Sequence, residues 1–264
     1  MIRQRVGAAL RLSGMLLCTV LLASGCGMLG TGMPGGGTGR DAEAHFEDPQ
    51  TQELAQAIAA GSPSRIQQAV EDGASVDAAG KDGVTLLEWA VYERQPSSLQ
   101  TLLELGADVT RPGIGGGTVV HLAAIADHPR CLQVLLDAGV DPDLRHPVTE
   151  RTPLIEATGL RTHEQFQMLL EAGAEVTLAD RTGTTALHRA AMLNAGSQVL
   201  TLLEAGADPE AQSDDGATFQ TFFWQSDADL MNDRALRERR QVAEWLQAHD
   251  VPLHEDARVA RSGR

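Results

Sequence analysis

The chain has 264 residues, a formal net charge of −15, 42% hydrophobic residues and 3% aromatic residues. This length allows one or two domains, and the hydrophobic content is sufficient for a folded core. Because so acidic a surface repels a phosphate backbone, the charge argues against nucleic acid as a ligand.

Residues 1–25 have the features of an export signal. Arg3, Arg5 and Arg11 make a basic start, and an apolar run follows from Leu12 to Ala23. A stable membrane-spanning helix needs about 20 consecutive apolar residues, and this run is shorter. We therefore expect residues 1–25 to be a cleaved signal peptide rather than part of the fold.

A cysteine preceded by small residues ends this segment, in the order Ala23-Ser24-Gly25-Cys26. The order resembles the bacterial lipobox, although Ala23 stands where leucine is usual. The resemblance implies a lipoprotein that is cut before Cys26, acylated on that cysteine and held on a lipid bilayer. Because Gly27 is not the aspartate that commonly retains such proteins at the inner membrane, the resemblance implies an outer-membrane lipoprotein facing the periplasm. An ordinary secretory signal with an incidental cysteine is the alternative.

The next segment, residues 26–45, is rich in glycine before it turns acidic. Chains of this composition behave as flexible coils. We expect a tether that lets the folded part stand away from the bilayer.

Two residue types then recur with one period through the rest of the chain. Closing glycines stand 33, 33, 34 and 33 residues apart, at Gly73, Gly106, Gly139, Gly173 and Gly206. Threonines recur 33, 34, 33 and 33 residues apart, at Thr85, Thr118, Thr152, Thr185 and Thr218. Each glycine follows an apolar pair and suits a helix end, where a left-handed residue costs least without a Cβ. The period indicates a tandem array.

A period near 33 residues is the length of the ankyrin unit, a turn followed by two antiparallel helices. The segments 82–87, 152–154 and 185–191 resemble the opening motif of that family, D-x-x-G-x-T-P-L-H-x-A-A. The closing motif L-L-x-x-G-A is present almost intact four times. The resemblance covers about residues 50–255 and implies an all-α ankyrin-repeat solenoid.

The period divides residues 46–256 into about six helix-turn-helix units, of which the first and last are degenerate caps. We predict the units 46–79, 80–112, 113–146, 147–180, 181–213 and 214–256, followed by a disordered tail at 257–264. The last unit is about ten residues too long, and Ala248-His249-Asp250 replaces its closing Ala-Gly-Ala, so we expect His249 at the closing-glycine position. Its polar stretch 225–234 predicts an inserted loop; a functional appendage is the alternative. Three arginines of its final helix, Arg237, Arg239 and Arg240, are expected to face solvent.

No set of residues indicates catalysis, a cofactor or a metal. His121 and His188 fall on the histidine of the ankyrin opening motif, and the resemblance implies that their imidazoles bridge adjacent turns. The remaining histidines lack metal-binding spacing. Cys131 is expected to be buried, and the glycines of 113–117 are expected to serve an inter-repeat turn. We predict that the chain is not an enzyme and that it has no small-molecule substrate.

The partner is therefore expected to meet a surface. In ankyrin proteins that surface is the concave side, and here the usually polar positions near the ends of the first helices are apolar. The predicted protein-binding residues are Trp89, Tyr92, Leu122, Ile125, Leu160, Met192, Leu193 and Phe222. An exposed apolar row within a polar rim suits protein binding, whereas burial of the row between repeats is the alternative.

Binding of another protein, without chemistry, is the function that these features favour. Acidic turns favour a basic partner. One version is an immunity or inhibitor protein that neutralises a secreted toxin in the periplasm; another is a scaffold or accessory factor for an enzyme of the cell envelope.

Overall fold

The computed structural model describes residues 42–226 and 230–254. The predicted signal peptide, Cys26, most of the tether and the tail lie outside the described residues. The fold is all-α, as predicted, with thirteen helices in the described ranges. They are α1 Ala42–His45, α2 Pro49–Ala59, α3 Pro63–Glu71, α4 Leu86–Tyr92, α5 Pro96–Glu104, α6 Val119–Ile125, α7 Pro129–Asp137, α8 Pro153–Ala157, α9 His163–Glu171, α10 Ala186–Met192, α11 Gly196–Glu204, α12 Phe219–Phe223 and α13 Asp233–Ala248. None of these helices is long and apolar enough to cross a membrane.

Six helix pairs, from α2/α3 to α12/α13, form the repeating units 1 to 6. The recurring threonine is the residue before each first helix from unit 2 onward, and its extended backbone ends the preceding turn. The hydroxyl of Thr85, for example, accepts the amide N–H of Glu88, one of the first-turn donors that a helix cannot satisfy internally. Proline begins α5, α7 and α8, where its missing N–H costs nothing.

Each recurring glycine lies just after a second helix in the left-handed region, with φ between 79° and 108°. At the end of α7, the Gly139 N–H donates to the Leu136 carbonyl at 2.9 Å and the Val140 N–H donates to the Leu135 carbonyl at 3.0 Å. These two bonds satisfy carbonyls that the helix end leaves free. The glycine period is therefore a period of helix ends.

Stacking of the units supplies the stability that their short helices lack. Leu102, Leu135, Leu169 and Leu202 occupy the same position of four second helices, and each is fully buried. Burying one leucine side chain contributes about 1.5–3 kcal/mol. First helices pack on neighbouring first helices, and the buried apolar residues form one continuous core. Helices of seven to nine residues do not persist alone, so each unit depends on its neighbours.

Helix α1 lies inside the segment predicted as a tether. Helix α1 packs on α2, and both Ala42 and Phe46 are buried. The ring of Phe46 meets Trp89 edge-on, with 5.6 Å between centroids. This short segment covers apolar surface that the first unit alone would leave exposed.

The last unit departs from the prediction in two ways. Its extra length lies partly in α13, which has 16 residues, whereas α11 has nine. Arg239 on this helix is buried and not solvated: it donates to the Phe223 carbonyl at 2.6 Å and to the Ser226 carbonyl at 2.9 Å. Burial lowers the pKa of Arg239. The aromatic residues Phe223 and Trp224 surround the guanidinium and make this cationic position possible.

The end of α13 corrects the repeat alignment by one residue. His249 was expected at the closing-glycine position, yet its φ is −108°. Asp250 instead has a φ of 58°, and the Val251 N–H donates to the Leu246 carbonyl, as the residue after each closing glycine does elsewhere.

Candidate partner-binding surface

The two motif histidines link adjacent turns, as the sequence predicted. The His121 Nδ1 accepts the amide N–H and the hydroxyl of Thr118, which leaves its Nε2 to donate to the Arg151 carbonyl at 3.0 Å. His188 repeats the arrangement with Thr185 and the Ala217 carbonyl. Burial lowers the pKa of His121, in keeping with a neutral ring. Both imidazoles are therefore structural and unavailable to a ligand.

In unit 2 a carboxylate takes the place of the imidazole. Glu88 is buried, and its Oε2 accepts the N–H of Thr85 and the N–H of Ile114 in the next turn, both at 3.1 Å. A Cβ added at Gly113 would overlap the Glu88 carboxyl group. Gly115 and Gly116 have the left-handed backbone that was expected of this turn, whereas Gly113 has a φ of −109° and is required for space.

Four residues of the predicted apolar row are exposed. They lie at the ends of the first helices, beside the interhelical loops, and their exposed fractions are 38% for Ile125, 80% for Leu160, 48% for Met192 and 45% for Leu193. They come from units 3, 4 and 5, which are consecutive in the array. This set, called the apolar row below, leaves large apolar side chains accessible to solvent.

Trp89 does not belong to the apolar row. It is only 2% exposed, and its indole N–H donates to the Ala55 carbonyl at 3.0 Å. The rings of Phe46 and His45 also lie against the indole. The prediction of an accessible Trp89 is wrong because α1 seals this position.

Tyr92, Leu122 and Phe222 are half-buried against the core. Burial raises the pKa of Tyr92, and the nearby Glu88 carboxylate adds to the rise. These three side chains are therefore only partly accessible and do not belong to the exposed apolar row.

Leu160 lies on a loop that interrupts the regular repeat. Helix α8 has five residues where α4, α6 and α10 have seven, and residues 158–162 replace the missing helical end. The Leu193 Cδ1 lies 3.9 Å from the place that a Cβ of Gly159 would take. The loop and the end of α10 are therefore neighbours.

Sequence reasoning missed the residue that holds this loop. Gln198 on α11 is buried, its Oε1 accepts the Gly159 N–H and its Nε2 donates to the Gly159 carbonyl, both at 3.1 Å. The two residues are 39 positions apart, so no local pattern relates them. One local feature of the sequence does indicate that the first helix of unit 4 ends early: Thr158-Gly159 follows soon after the opening motif Thr152-Pro153-Leu154.

Some turn tips at the opposite end of the first helices carry ion pairs. Glu150 pairs with Arg145 at 3.8 Å and with Arg181 at 3.6 Å, and Lys81 pairs with Glu47 at 3.8 Å. Exposed pairs of this kind contribute roughly 0–1 kcal/mol.

The described residues contain no group of three or more His, Cys, Asp or Glu side chains placed to hold a metal ion. Cys131 is fully buried, as predicted, and burial raises the pKa of its thiol to about 11. A thiol held in this way is unreactive.

Paired short helices, threonine caps, bridging histidines and left-handed closing glycines give the fold of an ankyrin-repeat solenoid. Family models described as ankyrin repeats match residues 117–213 (three copies) and residues 87–136 (many copies). The ankyrin array indicates a protein-binding module. This fold is typically a non-enzymatic scaffold for protein interaction.

Two known proteins are similar to this chain. The protein PhlB of Serratia liquefaciens is 42% identical over 150 residues, which are 56% of this chain and 65% of PhlB, slightly under two thirds of its length. The solved ankyrin repeat domain of Bcl-3, described as a unique member of the IkappaB protein family, is 28% identical. It superposes with a TM-score of 0.59 over 71% of this chain and 81% of that one.

Proposed function

We propose that the chain is a membrane-anchored periplasmic protein-binding module that captures its partner on the concave side of the array. The observation that carries this proposal is the apolar row, whose four members stay exposed at the ends of successive first helices. Clustered exposed apolar side chains on a soluble fold mark interaction sites. The structure favours the accessible arrangement over burial between repeats for these four residues.

The partner is a protein with a basic surface. The net charge of −15 would attract such a partner over several ångströms and raise its association rate, whereas the apolar contacts would set its dissociation rate. An immunity or inhibitor role fits this binding mode, because a rigid array that covers a toxin needs no chemistry of its own.

The anchor in this proposal is lipid on Cys26. It is supported by the basic start, the short apolar run and the small residues before the cysteine. Cys26→Ser should abolish labelling of the protein by a fatty-acid probe in its own cell. A substituted protein that still carries the label would contradict lipidation at this residue.

The binding surface is tested by Met192→Ser combined with Leu193→Ser in the full chain. Truncated interface anchors cost about 2 kcal/mol or more each, so capture of an envelope protein in a pull-down should fall at least tenfold. The melting temperature should change little, because both side chains are about half exposed.

The matched control is Val148→Ser combined with Leu230→Ser, two exposed apolar residues outside the row. This variant should capture the partner as the wild type does. Equal capture by both double variants would place binding elsewhere.

A toxin gene beside this one, and restored toxicity with the Met192/Leu193 variant, would support the inhibitor role. A neighbouring gene for an envelope enzyme would favour an accessory role instead.

A further inference from the structure

Unit 4 presents its exposed leucine on a loop of its own kind. Three residues join α4 to α5, α6 to α7 and α10 to α11, whereas five residues, 158–162, join α8 to α9. Leu160 at the middle of these five is 80% exposed. Among the four residues of the apolar row, Leu160 has the largest exposed fraction.

Hydrogen bonds within unit 4 fix both ends of this loop. The Thr158 hydroxyl donates to the Leu154 carbonyl at 2.9 Å, and the Thr162 hydroxyl donates to the Ala157 carbonyl at 2.6 Å. Both carbonyls belong to the end of α8, where helix carbonyls lack internal partners. The two threonines therefore replace the missing helical turn.

Unit 5 holds the middle of the loop. Besides the two bonds from Gln198 to the backbone of Gly159, the Arg189 Nε donates to the Thr158 carbonyl at 3.4 Å. The corresponding junction between units 3 and 4 has a single bond from the Gln165 amide to the Ala126 carbonyl. Gln198 thus does more than its counterpart, because it satisfies both the donor and the acceptor of one loop residue.

A side chain on a fixed backbone loses little conformational freedom on binding, so its burial is turned into affinity efficiently. Arg161, the next residue, is exposed and makes no ion pair with any described residue. An exposed guanidinium pairs best with a carboxylate, to which it can donate two parallel bonds. The loop therefore offers a projecting apolar group and an unpaired cation side by side.

We infer that the loop 158–162 is the specificity determinant of the proposed binding surface, that it fits a protein partner with an apolar recess bordered by a carboxylate, and that Gln198 is its positioning residue. The inference rests on the proposed function. Leu160 enters the recess and Arg161 pairs with the carboxylate at its edge. A bilayer is the poorer occupant, because one projecting leucine buries too little apolar area for membrane attachment and the chain is acidic.

The test places a benzophenone photo-crosslinking residue at position 160, 192 or 148 of the full chain in its own cell. Position 148 is the matched control, since Val148 is 58% exposed and lies outside the apolar row. We expect position 160 to crosslink to one protein, in a peptide that contains apolar residues next to Asp or Glu, with at least ten times the yield of position 148. Arg161→Glu should lower the yield from position 160 at least tenfold.

Gln198→Met keeps the side-chain volume and removes both bonds to Gly159. Crosslinking from position 160 should fall at least tenfold, and hydrogen exchange at the Gly159 amide should become faster, while crosslinking from position 192 falls less. Gln198→Glu keeps the acceptor oxygen, so its crosslinking yield from position 160 should lie between the yields of the wild type and Gln198→Met. These readouts separate positioning from a general loss of stability, which would lower both yields together.

Several outcomes would overturn the inference. A partner that crosslinks from position 192 but not from 160 would leave the proposed function intact and remove the loop as its determinant. So would a crosslinked peptide that contains neither Asp nor Glu, or unchanged crosslinking in Gln198→Met with faster exchange at Gly159. No protein crosslinked from 160 or 192 would overturn the proposed function as well.

Discussion

Unit 3 joins the next turn through His121, whereas unit 2 does so through Glu88 at the same position of the repeat. The imidazole donates its Nε2–H to the Arg151 carbonyl, and the carboxylate accepts the Ile114 N–H. In both units the same side chain also accepts the N–H of its own capping threonine. One structural task is thus carried out with opposite hydrogen-bond polarity.

The turn that follows has to match the polarity. A carboxylate needs an N–H that points at it and room to approach the backbone, and the 113–117 turn supplies the N–H of Ile114 and the missing Cβ of Gly113. The glycine-rich turn is therefore the counterpart of Glu88. This position of the repeat therefore acts as a pair: a side chain in one unit and the turn residue that it contacts in the next unit.

The largest effect expected from breaking this pair is that of Gly113→Ala. The new Cβ would displace the Glu88 carboxyl group, which would lose two hydrogen bonds inside a buried site. Losing such bonds to a charged group costs about 3 kcal/mol. Urea unfolding should report this loss in free energy.

Two further variants decide whether Glu88 is the cause. In a Glu88→Ala background, Gly113→Ala should cost less than about 0.5 kcal/mol more, because the collision is gone. Gly106→Ala is the control for backbone strain alone: its φ is 83° and no atom lies within 4 Å of the new Cβ. That substitution should cost about 1 kcal/mol. Full additivity of Glu88→Ala and Gly113→Ala would contradict the pairing.

A smaller effect distinguishes His121 from Glu88 through the pH dependence of the unfolding free energy. Burial lowers the pKa of His121, so stability that is present above about pH 6.5 is lost as the pH falls toward the folded-state pKa. Burial raises the pKa of Glu88 against the hydrogen bonds from Thr85 and Ile114, so its contribution is favourable at low pH and is lost as the pH rises through the folded-state pKa. On acidification the two groups therefore change the stability in opposite directions.

Unfolding free energies at pH 7, 6 and 5 test this opposition. Glu88→Gln should make the loss of stability on acidification steeper than in the wild type. His121→Gln should make it shallower, because the group that must stay neutral is gone. Parallel curves for the three proteins would show that neither residue governs the pH dependence.

The regular part of the fold was predictable because local chemistry sets it. Threonine caps and left-handed glycines act within four residues of their position, and the bridging role of His121 and His188 follows from the repeat motif. Trp89 was misplaced because its cover, α1, lies outside the repeat pattern and about 45 residues earlier.

The irregular part depended on contacts between distant residues. The exposed positions of the apolar row followed from repeat spacing, yet the loop around Leu160 depends on Gln198, and Arg239 is buried by Phe223 and Trp224. A polar side chain has no periodic pattern that shows which backbone group it will meet. The roles of these residues follow only from the neighbours that the fold brings next to them.

The smallest expected effect concerns the final helix end, where the array replaces its closing glycine. Asp250 takes the left-handed conformation with a φ of 58°, whereas His249 does not. Aspartate tolerates this region better than most residues, so Asp250→Gly should stabilise the protein by only about 0.5 kcal/mol. His249→Gly should instead destabilise it by roughly 1 kcal/mol, because the imidazole stacks on Trp245 with 3.9 Å between centroids and glycine disfavours a helix end with negative φ. Urea midpoints that move in these opposite directions would confirm the one-residue shift, and a gain at His249 with a loss at Asp250 would restore the alignment expected from the sequence.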